Sequence, residues 1–381
     1  MKIVKFGIIG CGLMGREFAS AAARWLHLTE MAVRPEIIAV CNRSPEKMDW
    51  FKDNIPTVTQ VTTDYREILA NDEIDAVYIA VPHDLHAEFY CEAIKAGKHL
   101  LGEKPFGIDL QANVEISKCI KDNPGVFVRC ASEFPFFPAA QRIGRMIEDN
   151  VFGQIIEVNS GFLHSSDMDF GKPINWKRTI ESNGEYGCMG DLGMHTCHMP
   201  FRAGWKPINV SASLSNIVKE RPDGKGGMAP CKTWDNATLM CKTFDPATQS
   251  YFPMTIKTHR ISPGNKNTWY IEIQGTKASV KWSTKQINTL EIMEYTGGEQ
   301  AWQVIDMGHE MTYKSITGGI FEAGFSDSML QMWAAFLYEM VHGKHKSKFA
   351  SCVTPDEVAL SHKLFTAALQ AYKDSTVIEI K

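Results

Sequence analysis

The stretch Gly7-Ile8-Ile9-Gly10-Cys11-Gly12-Leu13-Met14-Gly15 follows the first apolar run of the chain and contains the pattern GxGxxG. In a strand-loop-helix unit the first glycine permits a tight turn, the second lets a pyrophosphate approach the backbone, and the third lets the helix pack closely on the strand. The N-terminus of the helix then directs its free N–H groups at phosphate oxygens. The pattern in this context predicts a dinucleotide-binding loop made by Gly10, Cys11, Gly12, Leu13, Met14 and Gly15.

The segments around this loop alternate between strand-like and helical patterns up to about Cys130. Short apolar runs, from Ile3–Ile9 to Val126–Cys130, are separated by helical stretches such as Gly12–Leu28 and Asp109–Lys121. Strands buried on both faces read as continuous apolar runs, and repeated β-helix-β units build a parallel sheet. We therefore predict an α/β protein whose residues 1–135 form a Rossmann domain with a doubly wound parallel sheet.

The pattern changes beyond about Phe136, where strand-like segments follow one another across turns such as Pro222-Asp223-Gly224. Neighbouring strands of this kind favour an antiparallel sheet, and two amphipathic stretches, Ser326–His342 and Thr354–Tyr372, would cover one face. We predict that residues 136–381 form an α+β domain with a largely antiparallel open sheet, which binds the substrate. Its uncovered face needs a partner, so a homo-oligomer, dimer or tetramer, is expected.

Composition excludes several classes of function. The 381 residues carry a formal charge of −4, which argues against a nucleic-acid surface, and no apolar run approaches the ~20 residues that cross a bilayer. The first residues lead directly into a strand-like segment rather than a secretory signal. Ten cysteines, without a CxxC pair, are best interpreted as buried thiols. A cytoplasmic protein is expected.

The end of the second predicted strand bears on the choice between NAD and NADP. An acidic residue there would bind the adenosine ribose and repel a 2′-phosphate. The strand Ile37–Cys41 instead continues into Asn42, Arg43 and Ser44. Asparagine can bind hydroxyls without repelling phosphate, and arginine can pair with a 2′-phosphate or stack on adenine. These three residues are predicted to contact the cofactor, and either cofactor remains possible.

Two further motifs carry candidate chemistry. Lys104, in Gly102-Glu103-Lys104-Pro105, follows a buried strand where open α/β sheets bind ligands, although a solvated surface lysine would show the same pattern. In Gly190-Asp191-Leu192-Gly193-Met194-His195-Thr196-Cys197-His198, a helix would place Asp191 and His195 on one face. That set has three interpretations: a helix cap with core histidines, a metal site, or an acid-base pair. A third clear metal ligand is lacking, so no metal is expected.

The chain resembles the Gfo/Idh/MocA oxidoreductases over nearly its whole length. The resemblance rests on the glycine loop, on the segments 80–86 and 96–105, on the turn and strand at 151–155, on Gly190–His195 and on the C-terminal tail. It implies an NAD(P)-dependent dehydrogenase with Lys104, Asp191 and His195 as catalytic residues. It also implies that the cofactor is contacted by Val81, Pro82, His83, His86, Glu103 and Lys104, and the substrate by Lys104, Glu133, Trp176, Asp191 and His195.

The resemblance implies oxidation of a secondary hydroxyl of a sugar, glycoside or cyclitol, most specifically by a glycoside 3-dehydrogenase or an inositol dehydrogenase. In that reaction His195 would take the hydroxyl proton, Asp191 would orient the ring or bind substrate, and Lys104 would stabilise charge on oxygen. Two alternatives remain at this point. One is redox-neutral cleavage or epimerisation through a transient keto-sugar, and the other is a non-catalytic NAD(P)-binding regulator. His83 and His198 depart from the family pattern, which favours an unusual substrate.

Overall fold

The computed structural model describes residues 1–307 and 311–381, and its N-terminal part holds a six-stranded parallel sheet in the order β3-β2-β1-β4-β5-β6. The strands are β1 (Lys2–Ile9), β2 (Val33–Cys41), β3 (Gln60–Thr62), β4 (Ala76–Ile79), β5 (His99–Gly102) and β6 (Val128–Cys130). The helices between them are α1 (Leu13–Ala23), α2 (Glu46–Asn54), α3 (Tyr65–Leu69), α4 (His86–Lys95) and α5 (Leu110–Asp122). The predicted Rossmann sheet is confirmed. Its strand order reverses at β1 and β4, which is where such sheets bind dinucleotides.

The C-terminal part holds a nine-stranded sheet in the order β16-β15-β14-β13-β7-β12-β11-β8-β17 and a two-stranded sheet of β9 and β10. The strands are β7 (Ile155–His164), β8 (Lys206–Ser215), β9 (Glu220–Pro222), β10 (Met228–Pro230), β11 (Asn236–Asp245), β12 (Ser250–His259), β13 (Asn267–Gly275), β14 (Ala278–Ser283), β15 (Thr289–Glu294), β16 (Gln303–Asp306) and β17 (Ile378–Glu379). The helices are α6 (Pro138–Glu148), α7 (Ile180–Asn183), α8 (Cys188–Arg202), α9 (Phe325–His342) and α10 (Pro355–Asp374). Apart from the parallel pair of β7 and β12, the paired strands are antiparallel, as predicted.

Helix α8 carries the Asp191–His198 motif and packs between the large sheet and α10. Every residue from Cys188 to Phe201 is buried. Close packing requires a residue without a side chain at Gly193, because a Cβ there would lie 2.3 Å from the Phe365 ring of α10. The polar side chains of α8 are therefore enclosed by other parts of the protein, and this packing restricts their conformations.

Helix α9 packs against α1 and β2 of the Rossmann part, although it follows the second sheet in the chain. Its Trp333 stacks on Phe18 of α1 with ring centroids 3.5 Å apart and meets Phe6 of β1 edge-on. The division of the chain at residues 135 and 136 stays a prediction. The helix predicted over Gly12–Leu28 ends at Ala23, and a 3-10 turn at Trp25–His27 follows, in which the Trp25 indole donates to the Val33 carbonyl.

All ten cysteines are buried free thiols. In the described ranges 1–307 and 311–381 no helix has the length and apolar character needed to span a membrane.

Candidate active site

One cleft, of about 930 Å³, opens between the Rossmann sheet and the second domain. Its walls include Gly12–Met14 of the glycine loop, Val81–His83 after β4, and Glu103 and Lys104 after β5. The second domain contributes Trp176, Lys177, Asp191 and His195, among others. The topology thus brings together, in one cleft, residues predicted from separate motifs to bind cofactor and to catalyse a reaction.

Asp191 is held by three cations at the floor of this cleft. The Lys104 ammonium donates to the Asp191 carbonyl oxygen at 2.6 Å and to its Oδ1 at 3.0 Å. Lys177 Nζ lies 3.0 Å from both carboxylate oxygens, and Arg260 Nη2 donates to Oδ2 at 3.3 Å. Burial alone would raise the pKa of Asp191, but these three cations outweigh it and hold the pKa well below 3.8. The carboxylate is therefore ionised throughout the physiological pH range.

His195 lies against two aromatic rings. Trp269 stacks on its imidazole with centroids 5.0 Å apart and planes 19° apart, and Phe162 meets it edge-on at 5.6 Å. Nδ1 lies 3.1 Å from the Ser132 hydroxyl and 3.4 Å from Glu133 Oε2. Burial and the nearby Lys104 charge hold the pKa of His195 well below 6.5, so the ring is neutral at neutral pH.

The structure differs from the predicted role of Asp191 toward His195. Within the described residues, the side chains that bond to the Asp191 carboxylate are Lys104, Lys177 and Arg260. The imidazole of His195 is contacted instead by Ser132 and Glu133, which follow β6. The physical reason is charge, because three cations compete for the carboxylate more strongly than a neutral imidazole does.

The glycine loop has the geometry that its sequence pattern requires. Gly10 has a φ of +108°, and a Cβ there would lie 2.2 Å from the Ala80 carbonyl oxygen. A Cβ at Gly15 would lie 2.6 Å from the Gly10 carbonyl oxygen, whereas nothing lies within 4 Å of a Cβ at Gly12. Gly12 immediately precedes α1, whose N-terminus has no side-chain cap. The space and the free backbone N–H groups at this point are what a bound pyrophosphate uses.

Comparison with known proteins places the chain in a family. A family model described as "Oxidoreductase family, NAD-binding Rossmann fold" matches residues 4–129, and one described as "GFO/IDH/MocA C-terminal domain" matches residues 140–281. The chain belongs to the Gfo/Idh/MocA oxidoreductases. Membership establishes an NAD-binding Rossmann domain and an oxidoreductase, as the resemblance in the sequence implied.

Two curated relatives and one solved structure show how similar the chain is to other members of the family. Levoglucosan dehydrogenase of Pseudarthrobacter phenanthrenivorans is 25% identical over 312 residues, which are 77% of this chain and 76% of the relative. An uncharacterised oxidoreductase of Synechocystis is 30% identical over 216 residues, and the match spans just over half, 56%, of each chain. The structure of levoglucosan dehydrogenase in complex with NADH and levoglucosan superposes with a TM-score of 0.86 at 21% identity and covers 100% of both chains, which shows a shared fold.

Several predicted cofactor contacts of this Gfo/Idh/MocA chain have other partners in the structure. Asn42 accepts a hydrogen bond from the Cys11 N–H at 3.1 Å and donates to the Ser44 carbonyl at 3.1 Å, so that it ties the glycine loop to the end of β2. Arg43 beside it is exposed. His86 lies behind the cleft wall, where the Gly107 N–H donates to its Nδ1 at 3.3 Å and its Nε2 faces the Val81 carbonyl at 3.1 Å.

His83 and Trp176 line the cleft together. Nδ1 of His83 lies 3.1 Å from the Asn183 carbonyl, and its ring meets Trp176 edge-on at 4.9 Å. Glu103 lines the cleft beside Lys104 and accepts a hydrogen bond from the Tyr78 hydroxyl at 2.5 Å. Among the described residues no group of three or more His, Cys, Asp or Glu side chains is arranged to hold a metal ion.

Several residues that contact the candidate catalytic groups were not assigned to this site from the sequence, among them Ser132, Lys177, Arg260 and Trp269. Lys177 immediately follows Trp176, a predicted substrate contact, and this position could have indicated that Lys177 also lies in the site. Arg260 follows β12 and Trp269 lies in β13. They reach α8 only through the pairing of the second sheet, which no local pattern reveals.

Alanine at Gly12 and alanine at Gly10 are expected to have different effects. Gly12→Ala should fold normally but weaken NADH binding about tenfold, or about 1.4 kcal/mol, because the added methyl fills the space that a pyrophosphate needs. Gly10→Ala should lower the free energy of unfolding by about 1–3 kcal/mol, since both its φ and its contact with Ala80 are unfavourable. NADH fluorescence titration and urea unfolding measure the two effects. Equal NADH affinity of Gly12→Ala and wild type would contradict the proposed pyrophosphate position.

Proposed function

We propose that this protein is an NAD(P)-dependent dehydrogenase that transfers a hydride between a secondary hydroxyl of a sugar, glycoside or cyclitol and nicotinamide. The observation that carries the proposal is the placement of Lys104, Asp191 and His195 in the same cleft as the glycine loop. Oxidation of an alcohol needs a base for the hydroxyl proton, a cation for the charge that develops on oxygen and a hydride acceptor. The cleft supplies the first two from its own side chains.

The residues present fit a dinucleotide. The open space at Gly12 and the uncapped start of α1 would receive the pyrophosphate, and Val81, Pro82 and Lys104 line the cleft beyond it. When bound, the oxidised nicotinamide supplies the acceptor for the hydride of the carbinol carbon.

The side chains of the cleft divide the remaining work. Neutral His195 accepts the hydroxyl proton at Nε2, because Nδ1 is engaged by Ser132 and Glu133. Lys104 stays cationic, since Asp191 and Glu103 outweigh the effect of burial and raise its pKa. Its charge stabilises the oxygen as the proton leaves. Asp191 holds Lys104 and Lys177 in place and so presents both ammonium groups to the substrate hydroxyls.

The proposed substrate is a polyhydroxylated ring. Lys104, Lys177 and Glu133 offer hydrogen-bonding groups within one cleft, and Trp176 adds an aromatic surface on which a sugar face can stack. The relative from Pseudarthrobacter phenanthrenivorans is a levoglucosan dehydrogenase. Levoglucosan, simple glycosides and inositols are therefore the first compounds to test.

The proposed cofactor specificity includes NADP as well as NAD. The end of β2 lacks the carboxylate that would repel a 2′-phosphate, because Asn42 occupies that position and bonds to the loop. Arg43 is exposed beside it and can pair with a phosphate.

We also propose a homo-oligomer and a cytoplasmic location. Helices α8 and α10 cover one face of the nine-stranded sheet, while side chains such as Met240 and Lys242 of β11 are exposed on the other. A second copy of the chain would cover that face. Ten buried, unpaired cysteines suit a reducing compartment.

A steady-state panel tests the proposed function. Sugars, glycosides and inositols are mixed with NAD or NADP, nicotinamide reduction is followed by absorbance, and the product is identified by mass spectrometry. We expect a ketone and one reduced nicotinamide per ketone. Bond cleavage or epimerisation without net reduction would show the redox-neutral alternative, and cofactor binding without any turnover would show a regulator.

A further inference from the structure

We propose that Glu133 is the positioning residue of His195 and, through it, the acceptor of the proton that the substrate hydroxyl loses. The inference rests on the proposed function and concerns a residue that the sequence indicated only as a substrate contact. Oε2 of Glu133 lies 3.4 Å from Nδ1 of His195, on the side of the ring away from the nitrogen that is free to meet substrate.

The surroundings of Oε2 indicate that this carboxyl oxygen has no competing structural role. Glu133 is buried, and its Oε2 has no hydrogen-bond partner within the described residues. A buried polar atom left without a partner is costly, so its position toward an imidazole N–H requires an explanation. The Nδ1 of His195 lies 3.4 Å from Oε2 without forming a hydrogen bond, and catalytic hydrogen bonds often tighten only when substrate binds.

The proton path follows from this geometry. The proposed path starts with the proton of neutral His195 on Nδ1, the nitrogen nearest Ser132 and Glu133, and with the lone pair on Nε2. The substrate O–H bond breaks as an Nε2–H bond forms. The Nδ1–H bond then breaks as an O–H bond forms on Glu133 Oε2. The oxidised nicotinamide of the proposed function would accept the hydride of the carbinol carbon. The carboxyl later returns its proton to solvent.

The acidities of the two groups favour this direction. Burial and the like charge of Glu103 raise the pKa of Glu133 to about 7, whereas burial and Lys104 lower the pKa of His195 well below 6.5. The proton is therefore more stable on Glu133 than on the imidazole. In enzymes where a low-pKa aspartate supports the histidine, by contrast, the aspartate stays ionised.

Titratable and charged groups face this pair from several elements, and their net effect must be kept constant in any test. The groups that influence the pKa of Glu133 are Glu103 and Lys104 after β5 and Glu17 of α1. The groups that influence the pKa of His195 are Lys104 after β5, Asp191 and His198 of α8, and Lys177.

A substrate-free test uses protein labelled with ¹⁵N in its histidines. The Nδ1 signal of His195, assigned by its loss in His195→Asn, is expected to respond to a titration with an apparent pKa of about 7 in wild type. That response should be absent in Glu133→Gln, which keeps the shape of the side chain but cannot ionise. An Nδ1 signal that does not change between about pH 6 and 8, or changes equally in both proteins, would overturn the proposal.

A second test uses the pH profile of alcohol oxidation. In wild type kcat should fall as the pH decreases through about 7, because protonated Glu133 cannot accept the proton. Glu133→Gln should lower kcat at least about tenfold. It should also move the fall in kcat to lower pH, where His195 itself becomes protonated. Glu133→Asp should restore the fall in kcat near neutral pH. Ser132→Ala should retain this fall at the same pH, even if its maximal kcat differs from that of wild type.

The two tests separate the possible failures. An unchanged fall in kcat near neutral pH in Glu133→Gln contradicts the role of Glu133 while the dehydrogenase stands. A wild-type protein that oxidises no member of the panel contradicts the proposed function, and the nitrogen titration still decides whether Glu133 and His195 share a proton.

Discussion

His195→Asn is expected to lower kcat for alcohol oxidation at least about 100-fold, the usual contribution of a positioned general base. The imidazole is neutral at neutral pH because burial and Lys104 lower its pKa, so it is ready to accept a proton. Its orientation is fixed by Trp269 on one face and by Ser132 at Nδ1. Asparagine keeps a polar side chain of smaller volume but cannot take the proton. Steady-state kinetics measure kcat, and NADH fluorescence checks that cofactor affinity is unchanged.

The matched control for this variant is His198→Asn on the same helix. His198 is also buried, but its Nε2 lies 3.2 Å from Arg202 and the side chain does not line the cleft. We expect His198→Asn to change thermal stability more than kcat. Similar kcat values for His195→Asn and wild type would contradict the assignment of the base.

Lys104→Met is expected to have an effect of comparable size, with kcat lowered at least about 100-fold, because preorganised charge at a developing oxyanion contributes this much or more. Lys104 is mostly buried and donates two hydrogen bonds to Asp191, which hold its ammonium in one position in the cleft. Removing it also leaves Asp191 with two of its three cations, Lys177 and Arg260. Circular dichroism and thermal unfolding confirm that the variant is folded before kcat is compared.

Lys177→Met provides the comparison for Lys104→Met. Both ammonium groups lie 3.0 Å from Asp191 Oδ1, but the side chain of Lys177 is 39% exposed and that of Lys104 is 16% exposed. Lys177 therefore lies nearer the mouth of the cleft, and its loss should raise KM more than it lowers kcat. If the two variants lost kcat equally, the specific role of Lys104 at the reacting oxygen would be wrong.

The parts of the fold that could be predicted depend on local patterns. The glycine loop is fixed by steric requirements over nine residues, and the structure gives Gly10 and Gly15 the close contacts that the pattern requires. The alternation of β-branched runs and helices likewise predicted the six parallel strands of the first sheet. The ends of helices were predicted less exactly than the strands. The helix after the loop was predicted to reach Leu28 but ends at Ala23, and Trp25 just beyond it is buried in the core.

The partners of the candidate catalytic groups could not be predicted, since they come from distant parts of the chain. His195 meets Ser132 and Glu133 after β6 and Trp269 in β13, and these contacts arise only when two sheets and α8 pack together. The spacing of Asp191 and His195 suggested a pair on one helix face. Competition from Lys177 and Arg260 for the carboxylate, which is a tertiary effect, gives Asp191 different partners.

The most direct test of the proposed dehydrogenase is a single-turnover experiment. Protein and oxidised cofactor are mixed at equal concentrations with an excess of the mixed panel of sugars, glycosides and inositols, and the absorbance of reduced nicotinamide is recorded. A burst of one reduced nicotinamide per site is expected in wild type, and none on the same timescale in His195→Asn. Tight cofactor binding with no reduction by any member of the panel would contradict the proposed dehydrogenase.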